Sequence, residues 1–219
     1  MISTIFFDLD GTLVDTAPDL AHALNLQLQR HGKQPLAYKN IRPFASHGSR
    51  GLVGLGFGVN PSDGNFIAMR DEYLDIYNTV FTRCPVLLPG IAELLRAIET
   101  KGFKWGIVTN KPRRFTIGLI ASMGLNLENR ADCVVCGDDA PQPKPAPLTL
   151  LLACEQVGVS PQDCMYVGDA ERDIQAGKAA GMKTVAALFG YIDVTDKPQE
   201  WGADAMIKKP EDLLSLIKF

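Results

Sequence analysis

Ile5-Phe6-Phe7-Asp8-Leu9-Asp10-Gly11-Thr12-Leu13-Val14 is the stretch from which the rest of the chain is read. It begins as a buried apolar strand and runs into two carboxylates spaced two apart, then a glycine and a threonine. In an extended strand residues i and i+2 share a side, so Asp8 and Asp10 are expected to face one spot as the backbone leaves the sheet. Two carboxylates about 4 Å apart at an effective dielectric near 20 repel by on the order of 4 kcal/mol. A fold tolerates that when a cation, a shared proton or a reaction uses the pair. The alternative is plain turn chemistry, since Asp and Gly are common turn residues.

Working outward, the C-terminal half alternates regularly. Leu88-Pro89-Gly90 opens it, followed by an expected helix 91–100, strand 105–109, helix 112–123, strand 133–136, helix 145–157, strand 165–167, helix 172–180 and strand 184–188. Glycines 102, 124, 158 and 181 follow the helices at the position where positive φ is easy. Strand and helix in strict alternation predict an α/β fold with a doubly wound parallel sheet. Residues 16–85 differ. An expected helix with Leu20, Ala23, Leu24 and Leu28 at helical spacing stops at Gly32, with Thr16 or a neighbour as its cap. An irregular proline- and glycine-rich stretch follows over 33–65, then a second helix over 66–81. This segment contains no convincing strand and reads as a small helical insert, giving a core domain of 1–15 plus 86–219 and a cap of 16–85.

Open parallel sheets bind ligands beyond the C-terminal ends of their strands. The expected strands deliver Asp8 and Asp10, then Thr109-Asn110-Lys111, then Lys144 on the loop after the third, then Gly168-Asp169 with Asp173 four residues on. Singly, each has a bland reading as a helix cap, a solvated lysine or a first-turn acid. Together, at one edge, they describe a phosphoryl-transfer site. Asp8 is placed to attack phosphorus and form an acyl phosphate, and Asp10 to protonate the leaving alkoxide and later take a proton from water. Lys144 would balance charge on Asp8 and a phosphoryl oxygen, while Thr109 and nearby amides donate hydrogen bonds. Carboxylates without histidine or thiolate among them suit Mg²⁺ better than zinc.

The order DxDGT, strand-terminal Thr, Lys and GDxxxD resembles the four motifs of the haloacid dehalogenase superfamily, over essentially the whole chain. The resemblance implies a Rossmann-like core with a C1 cap inserted after the first strand. It also implies a nucleophile at Asp8, acid/base at Asp10, phosphate contacts from Thr109 and Lys144, and Mg²⁺ on Asp8, the Asp10 carbonyl and Asp169, with Asp173 in support. Gly11, Thr12 and Asn110 belong to the implied substrate-binding set. The second acid at Asp10 speaks against the dehalogenase branch. Gly11 to Thr16 and Val108 to Pro112 look like the phosphoglycolate phosphatase group. Leu151 to Glu155, Phe189 to Ile192 and Trp201 to Ala205 are similar to its branch acting on N-acetylmuramic acid 6-phosphate. The expected activity is a Mg²⁺-dependent phosphomonoesterase on a small phosphorylated metabolite, with 2-phosphoglycolate and N-acetylmuramic acid 6-phosphate as leading substrates. A phosphomutase of the same fold and a non-catalytic phosphate-binding module are the alternatives.

In the cap, His47-Gly48-Ser49-Arg50 is a candidate contact to the substrate's non-reacting end, because an arginine beside glycine-exposed amides can hold an anion. The alternative is a solvated helix start. Gly54-Leu-Gly56-Phe-Gly58 has the wrong spacing for a dinucleotide loop and no strand before it. The chain has 219 residues, 46% of them apolar, with 22 basic and 25 acidic residues mixed along it for a net charge of −3. That is enough for one core with an insert, with no basic stripe for nucleic acid. No leader-like start and no apolar run of about 18 residues is present, so the expectation is a cytoplasmic protein with no membrane partner; its oligomeric state, monomer or homodimer, is not readable from the sequence. Five cysteines in apolar patterns suit reduced thiols, and Cys133-x-x-Cys136 reads as core packing.

Overall fold

The computed structural model describes residues 2–217. Its first strand, β1 (Thr4–Phe7), is fully buried, and both faces are covered: Ile5 and Phe7 join one apolar cluster while Phe6 joins another. A continuous apolar run flanked by helices on both sides is what a central parallel strand requires.

The remaining elements are β2 (Val14–Asp15), α1 (Ala17–Arg30), α2 (Tyr38–Ile41), α3 (Gly48–Phe57), α4 (Phe66–Asn78), β3 (Val86–Leu87), α5 (Ile91–Thr100), β4 (Lys104–Val108), α6 (Arg113–Ser122), α7 (Leu127–Arg130), β5 (Cys133–Val135), α8 (Leu148–Val157), β6 (Cys164–Gly168), α9 (Glu171–Ala179), β7 (Lys183–Ala187) and β8 (Ala205–Ile207). Six strands form one sheet in the order β5-β4-β1-β6-β7-β8, and every neighbouring pair is parallel. The chain therefore reverses direction of growth beside β1, at the switch point where doubly wound sheets bind ligands. In α5 the buried residues are Ile91, Leu94, Leu95 and Ile98, an i, i+3, i+4, i+7 stripe facing the sheet.

β2 and β3 make a two-stranded antiparallel ribbon, Val14 opposite Leu87 and Asp15 opposite Val86, through which the chain leaves and re-enters the sheet layer. Between them α1, α3 and α4 share a core built on Leu20, Leu24, Leu28, Leu52, Val53, Tyr73, Ile76 and Tyr77. Phe115 of α6 and Tyr191 close it from the sheet side. The fold is thus a parallel α/β core with a helical cap.

The structure corrects several sequence expectations. The glycine-rich stretch is a ten-residue helix, α3, not an irregular loop. A Cβ at Gly56 would stand 2.8 Å from Leu24 Cδ1, so glycine allows α3 to lie close on α1, and burial of Leu52 and Val53 offsets its poor helix propensity. The helix expected from 145 starts at Leu148, because Pro147 occupies the capping position. The sheet has a sixth strand, β8, beyond the five expected. α1 is preceded by Thr16, but its hydroxyl makes no cap and donates instead to Asp10 Oδ1 at 2.6 Å.

Candidate active site

β1 ends at Phe7, so Asp8 and Asp10 lie on the turn beyond it and the strand alternation argument does not govern them. Instead each carboxylate has its own ammonium. Lys144 Nζ lies 2.9 Å from Asp8 Oδ1 and Lys111 Nζ lies 3.0 Å from Asp10 Oδ1. The repulsion anticipated from their spacing is thereby compensated by two lysines, one on each carboxylate.

Asp8, Asp169 and Asp173 are all buried and place one oxygen each within 4.8 Å of one another. Asp8 and Asp169 come from adjacent strand ends because β1 and β6 pair in register, Phe7 beside Val167, and Asp8 N–H donates to Val167 O. Asp173 sits in the first turn of α9, where its Oδ2 accepts from Ala170 N at 3.0 Å. It is also 2.7 Å from Lys144 Nζ. Gly168 is required here, since a Cβ at that position would lie 2.6 Å from Asp173 Oδ2.

Asp169 is the crowded member. Its Oδ2 accepts from Ser46 Oγ and from Tyr191 N, both at 2.8 Å, and its Oδ1 from Thr12 Oγ1 at 3.3 Å. Burial first, then the neighbouring Asp8 and Asp173, push its carboxyl up to about 7. A carboxylate held against its own ionisation by two others is the electrostatic signature of a position where a cation fits. The donor set, three carboxylates with no nitrogen or sulfur, is that of a hard divalent ion.

Lys144 has no free donor direction. Besides the two acids it reaches Tyr166 OH at 2.6 Å and Val108 O at 3.2 Å. Its backbone is clamped by Asn110, which accepts from Lys144 N and donates to Lys144 O, both at 2.9 Å. Asn110 thus spends its side chain on placing Lys144. Thr109 is buried, and its Oγ1 accepts from Lys111 N at 3.1 Å, which leaves its proton free to donate. Gly11 has φ of 82° and lies against Asp169, so Gly11 and Thr12 both abut that acid.

His47 and Arg50 do not meet this cluster through any hydrogen bond or ion pair. They line a separate, open cavity of about 560 Å³ with Phe44, Gly51, Gly54, Leu55 and Pro61. Burial, then Arg172, hold the His47 imidazole below its ordinary value, so it is neutral at pH 7. The cavity and the acids are joined by chain continuity, because Ser46 touches Asp169 and His47 follows it.

Three contributors escape a reading of the sequence, Tyr77, Ser46 and Tyr191, while Lys111 stands in the expected strand-end run Thr109-Asn110-Lys111 without a role assigned to it. Tyr191 OH accepts from Thr16 N at 2.7 Å and Ala17 N at 3.0 Å and donates to Asp15 at 2.7 Å, pinning the cap connection, while its own N–H holds Asp169.

Residues 5–187 match the family model of the haloacid dehalogenase-like hydrolases. The chain is 39% identical over 219 residues to an N-acetylmuramic acid 6-phosphate phosphatase of Pseudomonas aeruginosa, covering 99% of this chain and 95% of the relative. It is also 39% identical over 207 residues to a phosphoglycolate phosphatase of Xylella fastidiosa, covering 94% of this chain and 89% of that one. In fold it superposes with a TM-score of 0.84 on the crystal structure of a predicted phosphoglycolate phosphatase from Haemophilus somnus, at 23% identity and covering 99% and 98% of the two chains. Among the described residues no helix is long and apolar enough to cross a membrane.

Proposed function

This chain belongs to the haloacid dehalogenase-like hydrolase family and is a phosphatase of small phosphorylated metabolites, and from that premise we propose that it hydrolyses N-acetylmuramic acid 6-phosphate through an aspartyl phosphate on Asp8. The observation that carries the chemistry is the meeting of Asp8, Asp169, Asp173 and Lys144 in one buried cluster.

Asp8, Asp169 and Asp173 would hold Mg²⁺, which when bound offsets the negative charge of the carboxylates and of the phosphoryl group. Asp8 is aimed by Lys144 Nζ, 2.9 Å from its Oδ1, and its carboxylate attacks phosphorus. Lys144, with its N–H groups committed to Asp8, Asp173 and Tyr166, would act through its charge, offsetting the negative charge that gathers at Asp8 as the phosphoryl group is transferred. Thr109, with its hydroxyl proton uncommitted, donates to another of them. Asp10 protonates the departing alkoxide and then takes a proton from the water that attacks the acyl phosphate. Residues 16–85 act as a cap that closes over this site and excludes water, pivoting on the Val14–Asp15 and Val86–Leu87 ribbon.

Two features favour the amino-sugar acid over 2-phosphoglycolate. One is the name of the relative that matches the chain over 99% of its length. The other is the make-up of the cap depression lined by Phe44, His47 and Arg50, which follows directly on Ser46, the cap residue that touches Asp169. There Arg50 supplies a cation for a carboxylate, and neutral His47 and Phe44 supply polar and apolar contacts for the sugar's substituents.

The test is kcat/KM for a panel of phosphorylated metabolites with Mg²⁺, with Asp8→Asn alongside. N-Acetylmuramic acid 6-phosphate is expected to rank first, and Asp8→Asn to release no phosphate from any substrate while remaining folded. A fully active Asp8→Asn enzyme would sink the chemistry. A higher ranking for 2-phosphoglycolate would overturn the substrate alone.

A further inference from the structure

Lys111 is a buried ammonium that the chemistry above does not use. Its three N–H directions go to Asp10 Oδ1 at 3.0 Å, Asp10 Oδ2 at 3.3 Å and Tyr77 OH at 2.8 Å. Its backbone is fixed in the sheet domain, with its N–H on Thr109 Oγ1 and its carbonyl accepting from Gly137 N–H and Thr116 Oγ1. Tyr77 lies on α4, in the cap, with its ring between Tyr73, Phe81 and Phe115 of α6. A residue of the cap thus reaches Asp10 through a single lysine.

The contacts on Asp10 are unequal. Oδ1 receives Thr16 Oγ1 at 2.6 Å and the shorter Lys111 contact, whereas Oδ2 receives only the longer one. One oxygen is anchored from both the cap connection and the core, and the other is presented. The proton of a general acid must lie along the line to the departing oxygen, and a carboxyl that swings freely about its χ angles loses that alignment.

We propose that Lys111 and Tyr77 are positioning residues for Asp10: Tyr77, carried by the cap, holds Lys111, and Lys111 with Thr16 fixes the Asp10 carboxyl so that Oδ2 meets the leaving oxygen only when the cap is docked. The inference rests on the reading of Asp10 as the leaving-group acid. In that step the bond from Asp8 to phosphorus forms and the ester P–O bond breaks. Its electron pair goes to the departing oxygen, which takes the proton from Oδ2. Tyr77 and Lys111 exchange no proton; they set where that oxygen points.

The distinguishing measurement compares two leaving groups. kcat/KM reports only steps through transfer to Asp8. An alkyl phosphate needs an acid in that step, and an aryl phosphate such as 4-nitrophenyl phosphate, whose phenolate leaves unaided, does not. Tyr77→Phe keeps the ring packing and removes one hydroxyl. It is expected to lower kcat/KM about tenfold on an alkyl phosphate and less than about twofold on the aryl one. Lys111→Gln is expected to repeat the pattern more strongly, and Asp10→Asn to set its upper limit. Equal losses on both substrates, or none on either, for Tyr77→Phe and Lys111→Gln would overturn the positioning role while Asp10→Asn still discriminates. If Asp10→Asn itself fails to discriminate, the acid role falls and this inference with it.

Discussion

Asp169→Asn separates the electrostatics of the acidic cluster from its chemistry. In the metal-free protein Asp169 is held up to about 7 by burial and by Asp8 and Asp173, against an ordinary 3.8 in the unfolded chain. A group whose folded pKa is raised contributes stability that is present below its unfolded pKa and lost as pH rises through the folded one. The metal-free wild type is therefore expected to lose on the order of 4 kcal/mol from this group between about pH 4 and pH 7. Asparagine keeps the shape and an acceptor for Ser46 and Tyr191, and Thr12 can turn its hydroxyl to accept the new amide. It carries no charge, so the loss disappears. The assay is urea denaturation in EDTA from pH 4.5 to 8, read as the difference between the two proteins, which cancels every other titrating group. The variant should gain on wild type as pH rises, and excess Mg²⁺ should stabilise wild type and leave the variant unchanged. A constant difference across pH, or a variant stabilised by Mg²⁺ as much as wild type, would refute the account.

Gly190→Ala would drive a methyl into the Asp169 side chain, with its Oδ2 at 2.5 Å and Gly11 O at 2.6 Å from the new atom. It should cost about 2 kcal/mol in a denaturant melt and displace Asp169 enough to weaken stabilisation by Mg²⁺. Asn110→Ala removes both hydrogen bonds that clamp the Lys144 backbone, a loss of about 1–2 kcal/mol by the same assay. Its kcat should fall more than stability alone explains, and unchanged turnover would deny Asn110 its part in placing Lys144. Of the five cysteines, only Cys84 is exposed. Burial first of all pushes the Cys133 thiol up to about 12 and the Cys136 thiol up to about 11. A thiol reagent at pH 8 should therefore label one residue in the folded protein and five in urea, as counted by mass.

The features legible in the sequence are local or periodic. Alternation of apolar strands with helices that end on glycine specifies a parallel sheet, and the rule that such sheets bind beyond their strand ends gathers Asp8, Thr109, Lys144, Asp169 and Asp173 at one edge. Asp8, Thr109 and Asp169 directly follow strand ends and Asp173 the next helix start, so element order locates them, while Lys144 lies in the loop between β5 and α8. Their partners are not legible in the same way. Asp10 pairs with Lys111, Lys111 with Tyr77, and Asp169 with Ser46 and Tyr191, across elements whose separation along the chain carries no periodic signal.

The same division holds for the fold. By itself the amino-acid sequence determined the sheet layer and the presence of a helical insert, because hydrophobic period and chain stops are properties of short windows. Only tertiary structure decided that 48–57 is a helix, that Ala205–Ile207 adds a sixth strand, and that Thr16 serves Asp10 in place of its own helix. A glycine-rich helix has too little intrinsic propensity to announce itself, and a three-residue edge strand too little pattern. Each exists because a neighbour, α1 for the helix and β7 for the strand, supplies the burial or the hydrogen bonds that its own residues cannot.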